Sequence, residues 1–118
     1  MAAHVIGPVA EFPANTHRLV RIRNFEIGVF NVNGAFYALP NICPHQFGPL
    51  CEGRVNGTMA CNARTGWQYE WTRDGEILTC PWHGWEFDLL TGRALAHERV
   101  RVRTYPVTVE DGQVIVTL

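Results

Sequence analysis

The chain has 118 residues, 47% hydrophobic and 18% charged, which suits one globular domain over residues 1–118 and excludes a second catalytic domain. Ten Lys and Arg against eleven Asp and Glu leave a formal charge of -1, so the global balance points to neither nucleic acid nor an anionic membrane as partner. No apolar run approaches the ~18–20 residues of a membrane span, and Met1 to Pro13 lacks the basic-then-apolar order of a secretory signal, so the expected compartment is the cytoplasm.

Arg18 to Asn24 sets Val20 and Ile22 against Arg21 and Arg23 at period two, the pattern of a half-buried strand. Glu26 to Val32 is rich in β-branched residues, Asn33-Gly34 is a dipeptide that accepts positive φ, and Ala35 to Leu39 returns, so a hairpin is predicted. Towards the end, Val100 and Val102 alternate with Arg99, Arg101 and Arg103 as a feeder strand. Val107 and Val109 then turn at Asp111-Gly112 into Val114 and Val116, a second hairpin. Gly92 to His97 suits at most a short turn of helix, and no stretch shows a sustained apolar stripe of period 3.6. The fold class expected is all-β.

Between the sheet-forming ends, residues 40–92 hold all four cysteines and all four tryptophans. Two segments there pair a thiol with an imidazole: Cys43-Pro44-His45, and Cys80-Pro81-Trp82-His83 followed by Gly84-Trp85-Glu86-Phe87-Asp88. Two turn-borne hooks of this kind can meet around a metal. A tetrahedral zinc accepts two Cys and two His, but zinc fingers usually group their ligands as a Cys pair and a His pair. A Rieske 2Fe-2S cluster has one iron on two Cys and the other on two His, so a mixed hook reaches both irons from each side.

These two boxes, with Thr91-Gly92 after them, resemble the cluster-binding boxes of the Rieske ferredoxin family, and with the Val-rich hairpins the similarity covers roughly residues 18 to 118. The resemblance implies an antiparallel β-sandwich with a cluster-binding subdomain, about 40–92, carried on two loops. It also implies one 2Fe-2S cluster, with Cys43 and Cys80 on the inner iron and His45 and His83 on the outer. Thirty-four residues separate His45 from Cys80, about twice what the family leads one to expect. The excess falls around residues 54–76, where Trp67, Tyr69 and Trp71 alternate and Asp74-Gly75 marks a turn. An added hairpin is predicted there, packed as a satellite core on the sheet in preference to forming a docking surface.

Respiratory members of the family carry a loop-to-loop disulfide, a hydroxyl side chain after the second His-Gly, and a membrane anchor. The corresponding positions here are Gly48, Trp82 and Trp85, so neither disulfide nor hydroxyl donor is available. A potential in the lower half of the Rieske range, about -150 to +300 mV, is expected. Imidazole ligands with an ionisable second nitrogen predict a potential that falls by up to ~59 mV per pH unit once the oxidised-state pKa is passed.

The resemblance implies a soluble one-electron carrier between a reductase and a terminal oxygenase, with no substrate chemistry of its own. An oxygenase would need a facial triad of two His and one carboxylate, and beyond His45 and His83 only His4, His17 and His97 remain. An accessory or sensor subunit of another redox enzyme and a zinc-stabilised interaction module are the alternatives. Cys51 and Cys61 are expected to be free buried thiols, the three other histidines surface or satisfied ones, and Glu86, Asp88 and the Arg99, Arg101, Arg103 strip solvated. Trp82, Trp85 and Phe87 are expected to form an apolar shell around the cluster.

Overall fold

In the computed structural model, which describes residues 2–44, 46–82, 84–97 and 99–118, the strands form three antiparallel sheets of three. The middle sheet joins β2 (His17–Ile22), β3 (Phe25–Val32) and β4 (Ala35–Pro40) in that order. Its β3–β4 turn falls at Asn33-Gly34 as the sequence predicts, with Asn33 at φ 52°. From Ile27 to Val32 every residue of β3 is buried, so this strand has core on both faces, and its period of two splits that core.

Ile27 and Val29 face a cluster with Phe12, Ile22, Ala38, Val114 and Val116. There they meet the sheet of β1 (Ala3–Pro8), β9 (Gln113–Thr117) and β8 (Val107–Glu110). The β8–β9 hairpin turns at Asp111-Gly112 as predicted; β1, which lacks a clear apolar alternation, is recruited by pairing with β9. Phe30 and Val32 point the other way, into a cluster that includes Leu39, Leu50, Leu78, Phe87 and Leu89, and also Cys43 and Cys80. That second cluster lies under β5 (Arg54–Ala60), β6 (Glu70–Thr79) and β7 (Glu86–Asp88). Each fully buried aliphatic side chain contributes ~1.5–3 kcal/mol, so the half that carries Cys43 and Cys80 is anchored to the central strand by core packing and not by loops alone.

The long segment before Cys80 is a hairpin, but its turn is not at Asp74-Gly75. β5 and β6 pair from Arg54 with Thr79 to Ala60 with Glu70, and the turn is the capped 3-10 segment Ala63–Thr65 with its flanks. Asp74 and Gly75 belong to a wide bulge: Asn56 opposes Ile77 and Thr58 opposes Thr72, so Gly57 alone faces residues 73–76. Arg73 adopts φ 55° there, and a bulge of this size bends the pair sharply. Beyond it the Thr58 hydroxyl hydrogen-bonds Glu86 of β7 (2.9 Å), and the Arg73 guanidinium reaches Asp88 (2.9 Å) and Glu76 (3.0 Å). The distal hairpin is thus folded across β7 and tied to it.

Two further expectations fail. Residues 92–97 form no helical turn; Arg93 and Ala94 make isolated bridges to Arg101 and Phe87. The alternating Val100–Val102 segment is not a strand but one side of a single antiparallel bridge: the Val102 N–H donates to the Gly92 carbonyl and the Ala94 N–H to the Val100 carbonyl about the Arg93–Arg101 pair, while the Val100 N–H turns back to His97.

Candidate metal centre

The first loop leaves β4 at Pro40. Asn41, buried, pins it: the Asn41 amide donates to Glu26 (2.6 Å) and more weakly to Glu52 (3.4 Å), while its Oδ1 accepts the Cys51 N–H (2.7 Å). One side chain therefore closes the loop from residue 41 to residue 51. Inside it the Cys43 N–H donates to the Gly48 carbonyl (2.8 Å) and the Phe47 N–H to the Cys43 carbonyl (2.7 Å). The second loop is closed by the Cys80 N–H donating to the Trp85 carbonyl (2.8 Å), just before β7 begins.

Cys43 and Cys80 are thus each the first residue of a closed turn, each is buried in the same apolar cluster, and neither is in a disulfide. His45 and His83, two and three residues further along these turns, lie outside the described residues. The second loop borders an open cleft of 840 Å³ whose lining includes His17, Arg54, Cys80, Pro81 and Gly84.

Around the hooks several side chains differ from expectation. Glu86 and Asp88 are not a solvated face, since they receive Thr58 and Arg73. Phe87 is core and Trp85 half-buried, but Trp82 lies 47% exposed on Gly48. Cys51 is buried, with burial pushing its thiol up to about 12, whereas Cys61 is exposed. Trp67, Tyr69 and Trp71, at 70%, 78% and 52% exposure, form no satellite core. His4 is half-buried, and its Nε2 is buried with no hydrogen-bond partner among the described residues, so it is not the satisfied histidine expected. His17 stacks on Phe30 with ring centroids 4.9 Å apart, and His97 stacks on Trp85. Asn41 and His97 carry structural roles that residue spacing did not reveal. The only sequence signal for Asn41 was its place two residues before Cys43.

A sandwich whose outer sheet ends in two Cys-bearing turns is the architecture of a Rieske domain. The Rieske 2Fe-2S domain family matches residues 2–79 and the Rieske-like 2Fe-2S domain family residues 69–117. The chain belongs to the Rieske family, and the domain carries one 2Fe-2S cluster of Rieske type. It is 28% identical over 109 residues to the naphthalene 1,2-dioxygenase system ferredoxin component of Pseudomonas aeruginosa, covering 92% of this chain and 88% of that one. It is 30% identical over 110 residues to the alkene monooxygenase system ferredoxin component of Xanthobacter autotrophicus, covering 93% of this chain and 70% of that one.

Among solved structures, the Sphingomonas yanoikuyae B1 ferredoxin superposes with a TM-score of 0.72 at 29% identity, over 99% of both chains. A chain from the complex of reduced oxygenase and oxidized ferredoxin in carbazole 1,9a-dioxygenase does so with 0.72 at 26% identity, over 97% of this chain and 91% of that one. The donor chemistry fits such a group. Two sulfurs sheltered from water, one from each turn, suit the thiolate-held iron. Among the described residues no helix is long and apolar enough to cross a membrane.

Proposed function

We propose that this chain is the one-electron carrier of a multicomponent oxygenase system, accepting electrons from a reductase and delivering them to a terminal oxygenase. In this reading Cys43 and Cys80 hold the inner iron and His45 and His83 the outer one. The cluster supplies reversible one-electron redox chemistry. The chain's own residues set its surroundings: Leu50, Leu78 and Phe87 exclude water behind the sulfurs, and the turns closed at Gly48 and Trp85 fix where the two thiols stand. With Trp85 where a hydroxyl donor would raise the potential, a value in the lower half of the family's range is favoured. Two thiols outside the hooks, Cys51 and Cys61, are unpaired by disulfide, which suits a reducing compartment, and we place the protein in the cytoplasm.

The observation that carries the reading is the match to ferredoxin components along almost the whole of both chains. The test is an EPR spectrum of the dithionite-reduced protein, followed by mixing with the terminal oxygenase of a ring-hydroxylating system. A low average g value and rapid reoxidation are expected. Colourless protein without acid-labile sulfide, or reduced protein that no oxygenase component reoxidises, overturns it.

A further inference from the structure

Gly48 and Trp82 meet across the two loops. A β-carbon placed on Gly48 would stand 2.7 Å from both Cγ and Cδ2 of the Trp82 indole and 3.0 Å from Cε3, far inside van der Waals contact, so the ring lies directly on the glycine backbone. That backbone is a fixed seat: the Gly48 carbonyl accepts the N–H groups of Cys43 (2.8 Å) and Leu50 (2.9 Å). Trp82 stands two residues after Cys80 and one before His83. The indole therefore joins the turn that begins at Cys43 to the turn that begins at Cys80, and among the described residues no disulfide does so.

We propose that Trp82 is a positioning residue for the metal centre, its indole clasping Gly48 to hold the first and second loops at a fixed separation. The inference rests on the reading that these loops hold the cluster. An apolar ring laid on bare backbone gains its burial without a bond that a reducing compartment would break. It works only while residue 48 has no side chain, because a single methyl would fill the space the ring occupies. Loop opening, and with it loss of the cluster, is then governed by this contact.

The experiment compares wild-type holoprotein with Trp82→Ala, Trp82→Phe, Gly48→Ala and the Gly48→Ala/Trp82→Ala pair, following visible absorbance under a chelator and recording the EPR g values. Trp82→Ala and Gly48→Ala are expected to lose the cluster about tenfold faster or more, or to emerge without it. The pair is expected to be no faster than Trp82→Ala, and Trp82→Phe to restore both near-native retention and native g values. Wild-type retention in Trp82→Ala, multiplying effects in the pair, or an empty Trp82→Phe protein overturns the proposal.

A second measurement needs no metal. Trp82 Cβ is one bond from the Cγ that stands 2.7 Å from a Gly48 β-carbon, so the two β-carbons are no more than ~4.2 Å apart, within the ~3.5–4.5 Å reach of a disulfide. A Gly48→Cys/Trp82→Cys chain should therefore close a disulfide on mild oxidation, and failure to do so counts against the clasp. Colourless wild-type protein would instead overturn the carrier reading and leave this crosslink test intact.

Discussion

Trp85 and His97 stack face to face, with ring centroids 3.9 Å apart and planes 12° apart. The Trp85 carbonyl closes the second loop on the Cys80 N–H, so the stack braces the residue on which that loop turns back. His97→Ala is expected to cost about 0.5–1.5 kcal/mol in chemical denaturation, and His97→Phe to recover most of it. Equal losses in both variants would mean that the ring contact contributes nothing.

Asn41 brings two carboxylates, Glu26 and Glu52, onto one amide. Asn41→Asp removes the donor and adds a third negative group, so it should destabilise by about 2–3 kcal/mol near neutral pH. Repulsion raises the new carboxyl's pKa in the folded state above its unfolded value. The variant therefore keeps its stability at low pH and loses it as pH rises through the folded pKa. Urea midpoints for wild type and variant between pH 4 and 8 test both magnitude and sign.

The two thiols outside the hooks should differ in reactivity. Burial holds the Cys51 proton up to about 12, with the nearby Glu26 and Glu52 carboxylates adding to the shift, while Cys61 is exposed. Iodoacetamide on native holoprotein is expected to add once, at Cys61, and four times after unfolding and cluster removal; intact mass and peptide mapping read both. A β-carbon on Gly28 would fall 2.5 Å from Cys51 Cβ and Sγ. Gly28→Ala should therefore cost about 1–3 kcal/mol through overpacking.

Burial against Phe30 lowers the His17 pKa from its ordinary 6.5, partly offset by a hydrogen bond to the Cys51 carbonyl. With the folded pKa depressed below the unfolded one, the His17 contribution is complete above about pH 6.5 and is lost as pH falls through the folded value. Wild type is expected to lose more stability than His17→Phe between pH 7 and pH 5, as read by thermal melts at each pH.

Arg73 bridges Asp88 and Glu76 from within the bulge, and the Asp88 side chain is only 14% exposed. Arg73→Ala should cost about 1–2 kcal/mol, between the values for surface and buried pairs. It should also raise amide hydrogen exchange across residues 57–76 while β2, β3 and β4 keep their protection. Unchanged exchange in the hairpin would show that the tie does not hold it.

The strands built on local alternation or turn dipeptides were legible: Val20 with Ile22, the Asn33-Gly34 and Asp111-Gly112 hairpins, and the buried run of β3. The two hooks stand out in the sequence because thiol and imidazole at short fixed spacing carry chemistry on their face, and the fold brings their cysteines, Cys43 and Cys80, into one cluster. Contacts between segments far apart in sequence were not. Asp74-Gly75 reads as a turn locally, yet pairing of Thr58 with Thr72 and Asn56 with Ile77 turns it into a bulge. Glu86 and Asp88 look solvated until the folded hairpin brings Thr58 and Arg73 to them. Val100 and Val102 have a strand's alternation but no neighbouring strand to complete a ladder.

Arg54 with Thr79, and Val55 with Leu78, zip together before the bulge opens. The footing of both Cys-bearing turns is therefore settled upstream of whatever lies between residues 57 and 76. That excursion, exposed tryptophans included, meets β7 and the residue after it through Thr58 on Glu86, Arg73 on Asp88 and the Glu76 carbonyl on the Leu89 N–H, so changes at its far end should leave the ladder beneath those turns in place.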